Sequence, residues 1–140
     1  MRVLLDTDVV LDLVLDREPF ANAAAALLAL HEQERIEIFV SGITLINVFY
    51  VTRKIKGIRS ARQAVEELLT TVKVCPLYQA VLESAYKLAL TDYEDAVQHA
   101  SATASQLDAI VTRNLTDYKN ATLPVFSPTD FLNQLKTQSE

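Results

Sequence analysis

Glycine is almost absent from this sequence: Gly42 and Gly57 are the two copies in 140 residues. A dinucleotide-binding fingerprint and a phosphate-binding P-loop both need several glycines for close backbone approach, so both are excluded. There is one cysteine, Cys75. It rules out an internal disulfide and a cysteine-rich zinc site, and it suits a reducing cytoplasm. No G-x-S-x-G elbow is present, which leaves nucleophilic hydrolysis without its usual signal. No apolar run approaches the roughly 18–20 residues of a membrane span. The opening Met1-Arg2-Val3-Leu4-Leu5-Asp6 meets an acid too early for a signal peptide. Repeats, low-complexity runs and Pro/Gly/Ser-rich linkers are missing too, so one domain over residues 1–140 is expected. Basic charge is also short: 13 Lys and Arg stand against 18 Asp and Glu, a formal net charge of −5. That argues against gripping nucleic acid by bulk charge. It leaves room for an enzyme whose acids gather around a cation.

What is present is a core-forming pattern. Half of the residues are hydrophobic and 22% are charged, which excludes a disordered chain. Short apolar runs at 3–5, 36–40, 72–75, 109–112 and 124–126 read as strands. Helices are expected over 9–15, 21–34, 44–56, 61–71, 79–90, from Thr91 to about Ser105, and over 128–135. Gly57 should cap the third of these at its C-terminus. This alternation implies an α/β domain with a mostly parallel sheet. Such sheets place their sites at the carboxyl ends of the strands, where the strand order reverses. The residues to inspect are therefore Asp6, Ser41, Pro76 and the run from Thr112 to Asp117.

Asp6 ends the first strand. An N-cap is the bland role for it, and for Asp8. A partly desolvated carboxylate at a strand mouth also favours a bound cation. Asp92, Glu94 and Asp95 crowd one helix start, where acids suit the helix dipole. Thr91-Asp92-Tyr93-Glu94 reads as a capping box, which gives Glu94 the cap. Asp95 lies beside the apolar stripe Ala96, Val97, Ala100 and Ala104, and should point toward the sheet edge. Asn114 and Asp117 follow the fourth strand. Asp108 precedes that strand, at the opposite end, and reads as structural. If strands one and four are neighbours, Asp6, Asn114 and Asp117 converge near the helix that carries Asp95. Oxygen ligands of this kind suit Mg²⁺ or Mn²⁺ rather than zinc. His31 is expected to be exposed, and His99 to pair locally with Asp95.

Three strings carry a resemblance: Leu4-Leu5-Asp6-Thr7-Asp8, Tyr93-Glu94-Asp95-Ala96, and Thr112-Arg113-Asn114-Leu115-Thr116-Asp117-Tyr118. In order and spacing they resemble PIN-domain ribonucleases, most closely the small prokaryotic toxins of the VapBC toxin–antitoxin type. The resemblance extends to the ending Pro124-Val125-Phe126-Ser127-Pro128. It implies a Rossmann-like three-layer domain with sheet order 3-2-1-4-5 and a divalent-metal site at the carboxyl edge. It matches Asp6, Asp95, Asn114 and Asp117 to the catalytic set, with Asp6, Asp95 and Asp117 as metal ligands. Thr7 and Thr112 would support the carboxylates. Asn47 stands where the family usually has Glu, and Asn114 where many members have Asp.

The first reading is therefore a metal-dependent endoribonuclease, with RNA as substrate, an antitoxin as possible partner and a homodimer as the expected assembly. RNA would need a local basic surface. Arg53 and Lys54, with Lys56, Arg59 and Arg62, are candidates, and Arg113 sits nearer the chemistry. A PIN-like interaction protein with a weak or dead site is the alternative, favoured by Asn47 and Asn114. A metal-dependent phosphatase on a similar sheet is a third.

Overall fold

The first strand, β1 (Arg2–Leu5), is buried on both faces: Val3 and Leu4 are 0% exposed and Leu5 4%. It forms the centre of a five-stranded parallel sheet in the order β3-β2-β1-β4-β5. The other strands are β2 (Glu37–Ser41), β3 (Lys73–Cys75), β4 (Ala109–Val111) and β5 (Val125–Phe126). This computed structural model describes residues 1–90 and 92–139. Among the described residues six helices connect the strands and a seventh follows β5: α1 (Thr7–Val14), α2 (Ala21–Glu32), α3 (Gly42–Lys56), α4 (Ile58–Thr71), α5 (Gln79–Lys87), α6 (Tyr93–Ala104) and α7 (Pro128–Ser139). A single 3₁₀ turn, Leu115–Tyr118, follows β4.

Side chains alternate across the sheet, as the pleat requires. Val3, Leu5, Ile38, Val40, Ala109 and Val111 face one core, which α1, α2, α3, α4 and α7 cover. Leu4, Phe39, Cys75 and Ile110 face the other core, with Ala102 of α6 and Tyr118. α5 packs on α6 through Val81, Ala85, Ala96, Val97 and Ala100. The result is the three-layer arrangement and strand order that the resemblance implies. Among the described residues no helix is long and apolar enough to cross a membrane.

Several boundaries differ from those expected, each for a tertiary reason. α3 holds as a helix despite its β-branched residues because Thr44, Val48 and Thr52, four apart, form one buried stripe. α4 begins at Ile58, not Ala61, because Gly57 alone joins it to α3. α5 stops at Lys87 because Leu88 turns extended, and Leu88 and Leu90 pack onto the α6 cluster. Ser41 completes β2, and its hydroxyl caps α3 by accepting from the Ile43 N–H at 3.3 Å.

Gly57 adopts φ 95° and ψ 174°, a region that side chains disfavour strongly. A Cβ there meets nothing within 4 Å, so backbone strain is the sole penalty. Gly57→Ala should lower the unfolding free energy by about 1–3 kcal/mol, read from urea denaturation.

Candidate functional site

Strand order reverses at β1: β2 and β3 build outward on one side, β4 and β5 on the other. The crevice therefore lies beyond the carboxyl ends of β1 and β4. Asp6 and Thr112, the next residue in each strand's path, stand at its floor. The Asp6 N–H donates to the Val111 carbonyl at 2.9 Å and extends the β1–β4 ladder by one step.

Asp6 occupies the N-cap position of α1, yet its side chain makes no cap bond. It is 3% exposed and points into the crevice. Its Oδ2 accepts from the Thr112 hydroxyl at 2.5 Å, and its Oδ1 from the Gln98 amide at 2.9 Å. Gln98 Oε1 in turn accepts from the Thr7 N–H at 3.2 Å. One fully buried amide thus fixes both the Asp6 carboxylate and the first turn of α1. Burial raises the Asp6 pKa above its ordinary value, against the two hydrogen bonds, and the nearby Asp8 charge adds to the rise.

Asp95 enters from the first turn of α6 and is 7% exposed. Its pKa is raised to about 7, first by burial and then by the charges of Asp6, Asp92, Asp117 and Glu94. The Tyr118 hydroxyl donates to Asp95 Oδ1 at 3.4 Å. That phenol is itself buried and pushed above its usual pKa, so it stays a donor.

The cap at this helix differs from the expected one. Asp92 makes it, its Oδ1 accepting from the Asp95 N–H at 3.1 Å. Thr91, to which the capping box assigned that role, lies outside the described residues. Glu94 is released from the cap and turns inward. Its Oε1 accepts from the Thr7 hydroxyl at 3.1 Å and from the Asn47 amide. Thr7 also meets the buried Thr44 hydroxyl at 3.0 Å. Because Thr7 donates to Glu94, Thr44 must donate to Thr7. Burial raises the Glu94 pKa as well.

The run after β4 is tied down at each residue. The Thr112 hydroxyl accepts from the Asn114 N–H at 3.0 Å while it donates to Asp6. Asn114 Nδ2 donates to Asp8 Oδ2 at 2.7 Å. Asp117 lies in the 3₁₀ turn, partly exposed, and its N–H donates to the Asn114 carbonyl at 3.1 Å. Asp6, Thr7, Asn47, Asp95, Thr112 and Asn114 thus share one connected neighbourhood, with Asp117 on its rim.

The structure places the other expected residues as follows. Arg113 is not a free cation beside the site. Its guanidinium grips both oxygens of Asp12, at 2.8 and 3.2 Å, and stacks 3.9 Å from the centre of the Phe20 ring. Asp12 is 1% exposed and also takes Arg17 at 2.9 Å. Arg53 and Lys54 are exposed in the last turn of α3. At 1.5 Å per residue they lie roughly 9–11 Å along the helix axis from Asn47. His99 does not pair with Asp95; its Nε2 accepts from the Thr122 N–H at 3.0 Å, and burial lowers its pKa. His31 is half-buried and bridges the Thr71 carbonyl and the Ile38 N–H. Pro76 follows an edge strand and is remote from the crevice. Sequence reasoning passed over Gln98 and Thr44, and gave Asp8, Glu94 and Tyr118 no part in the site. A signal existed for Gln98: it lies three residues after Asp95, on the same helix face.

A divalent cation fits the chemistry of these donors. Among the described residues, ion pairs fall on Asp12 and Glu37, and none on Asp6, Glu94, Asp95 or Asp117. The acids line the strand ends rather than enclose a point: no three acidic, histidine or cysteine side chains among the described residues stand close enough to cage an ion. Mg²⁺ suits such a site, since it takes one or two carboxylates and keeps water for the rest.

Known proteins share this fold. The family model for the PIN domain matches residues 2–116. A VapBC2 complex from Rickettsia felis, bound to a fragment of its promoter DNA, superposes with a TM-score of 0.71 at 16% identity, covering 91% of this chain and 98% of that one. A toxin–antitoxin complex from Klebsiella pneumoniae gives a TM-score of 0.64 at 26% identity, covering 90% and 97%. A sarcin-ricin loop cleaving toxin from Mycobacterium tuberculosis gives 0.64 at 18% identity, covering 77% and 86%. No curated protein matches the chain.

A carboxyl whose pKa is higher folded than unfolded destabilises the folded state as pH rises between the two values. For Asp95 that window runs from about 4 to about 7. Below it both states are protonated and the cost is absent; above it the cost is complete. Asp95→Asn should therefore raise the Tm of metal-free protein at pH 7.5, with little effect at pH 4. Melting curves across that range check it.

Proposed function

The chain belongs to the PIN-domain family, and from that premise we propose that it is a divalent-metal-dependent endoribonuclease and the toxin of a toxin–antitoxin pair. The observation that carries this reading is the pairing of buried Asp6 and Asp95 at the β1–β4 crevice, held by neutral donors alone. A purely structural acid in this chain is treated otherwise: Asp12 receives two arginines.

Asp6 and Asp95 would hold the metal directly, and Asp117 and Asn114 directly or through water. When bound, Mg²⁺ or Mn²⁺ supplies activation of a water for in-line attack on a phosphodiester and neutralises charge on the phosphate. Gln98 and Thr112 keep the Asp6 carboxylate at a fixed angle. Tyr118 orients Asp95. Thr112 also anchors the Asn114 backbone, so the residues after β4 move as one unit with Asp6. Asn114 ties that unit to α1 through Asp8.

RNA would reach the site over a local basic surface, since the whole chain is acidic. Arg53, Lys54, Lys56 and Arg59 are exposed and make no ion pair among the described residues. They would contact backbone phosphates flanking the scissile bond. Two of the similar structures are toxin–antitoxin complexes, which supports an antitoxin partner here. The hairpin of α3 and α4 exposes Ile46, Tyr50, Ile55, Ile58 and Leu69, apolar surface suited to a partner or a second copy in a homodimer. A cytoplasmic setting accords with the single buried cysteine.

One observation favours the second reading, an interaction protein with a silent site. Asn47 and Asn114 both use their amides to donate to acids, Glu94 and Asp8. The two readings separate in one assay. Purified, partner-free protein should cleave a mixed RNA pool with Mn²⁺ or Mg²⁺, and cleavage should fall to background with EDTA and in Asp6→Asn. Intact RNA in a sample shown to bind Mn²⁺ would instead establish the interaction protein.

A further inference from the structure

Glu94 is an acid without the reciprocal capping role expected of it: with Asp92 as N-cap, the third helical position belongs to Asp95. Asp92 caps α6, so nothing at that helix start requires a second carboxylate. An acid in a helix's first turn can reach water freely, yet Glu94 is drawn across to α1 and α3 and is half-buried there. Asp6 and Asp92 both oppose its charge. A carboxylate serving as a strut would be matched with an arginine, as Asp12 is. Among the described residues Glu94 receives only neutral donors: the Thr7 hydroxyl, itself oriented by buried Thr44, and the Asn47 amide. Both bonds fall on Oε1, and neither uses Oε2. Hydrogen bonds that orient a carboxylate without neutralising it are what a metal's outer shell provides.

We propose that Glu94 is a further carboxylate of the divalent-cation site, presenting Oε2 through one water to an ion held by Asp6 and Asp95. Asn47, Thr7 and Thr44 are then its positioning residues. Asn47 acts by placing an acid carried on α6. The proposal rests on the metal-nuclease reading and adds a carboxylate to the ion's outer shell.

The test is calorimetric titration of Mn²⁺ into metal-free protein, with Tm measured on each sample. Four proteins are compared: wild type, Asp6→Asn, Glu94→Gln, and the exchanged pair Asn47→Glu with Glu94→Gln. Glu94→Gln should weaken Mn²⁺ binding by about 10-fold or more while its metal-free Tm is kept or raised. The exchanged pair, which moves the carboxylate to α3 and the amide to α6, should recover most of that loss. Unchanged affinity in Glu94→Gln, with affinity lost in Asp6→Asn, would overturn this proposal and leave the nuclease reading standing. A loss that the exchanged pair does not recover would make Glu94 a strut between α6 and α3, and would also overturn it. Wild-type protein that takes up no Mn²⁺ saturably would overturn the nuclease reading and this proposal together.

Discussion

The Asp6 carboxylate, buried at the end of the central strand and held by Thr112 and Gln98, is the interaction on which the rest of the site depends. A charge in that position is costly unless something compensates it. Two hydrogen bonds go part of the way. They also join three elements that are far apart in sequence: Gln98 brings α6, Thr112 brings the segment after β4, and Asp6 itself continues into α1. The crevice therefore forms only when β1 and β4 are neighbours, which is what the 3-2-1-4-5 order achieves.

The chain deals with its acids in two ways. Asp12 and Glu37 receive arginine or lysine, and they lock elements together. Asp12 is the more consequential, because its bidentate partner Arg113 lies between Thr112 and Asn114 and pins that segment to α1. Removing one member of a buried pair strands the other, so this lock also sets the depth of the site above it. Asp6, Glu94 and Asp95 receive hydroxyls and amides instead. Neutral donors fix direction without cancelling charge, and burial, joined by the mutual repulsion, raises the pKa of Asp95. That contrast is the physical basis on which Asp6, Glu94 and Asp95 are proposed as the functional acids and Asp12 as a structural one.

Much of the fold was legible in the sequence because strands buried on both faces read as unbroken apolar runs, and Val3–Leu5 and Ala109–Val111 are such runs. The positions of Asp6 and Asp95 followed from the rule that sites lie beyond strand ends, together with the family resemblance. What local rules could not resolve was which of several adjacent polar residues takes which job. The capping-box pattern set Thr91 as the N-cap with Glu94 as its reciprocal partner, but Asp92 is the N-cap, and only the approach of α3 and α1 shows where Glu94 turns. Arg113 looked available for RNA because its partner Asp12 is 101 residues away. His99 turned to Thr122 for the same kind of reason, a contact across 23 residues that helix spacing does not reveal. These are long-range pairings, and a residue's neighbours in sequence carry no record of them.

The central claim is that Asp95 is buried beside other acids, its charge uncompensated until a divalent cation relieves it. It is tested most directly by the carboxyl-carbon NMR titration of Asp95 with and without Mg²⁺. The account predicts a pKa of about 7 in metal-free protein and a fall of at least about one unit on saturation with Mg²⁺. A metal-free value near the ordinary 3.8 for aspartate, or a raised value that Mg²⁺ leaves unmoved, would contradict it.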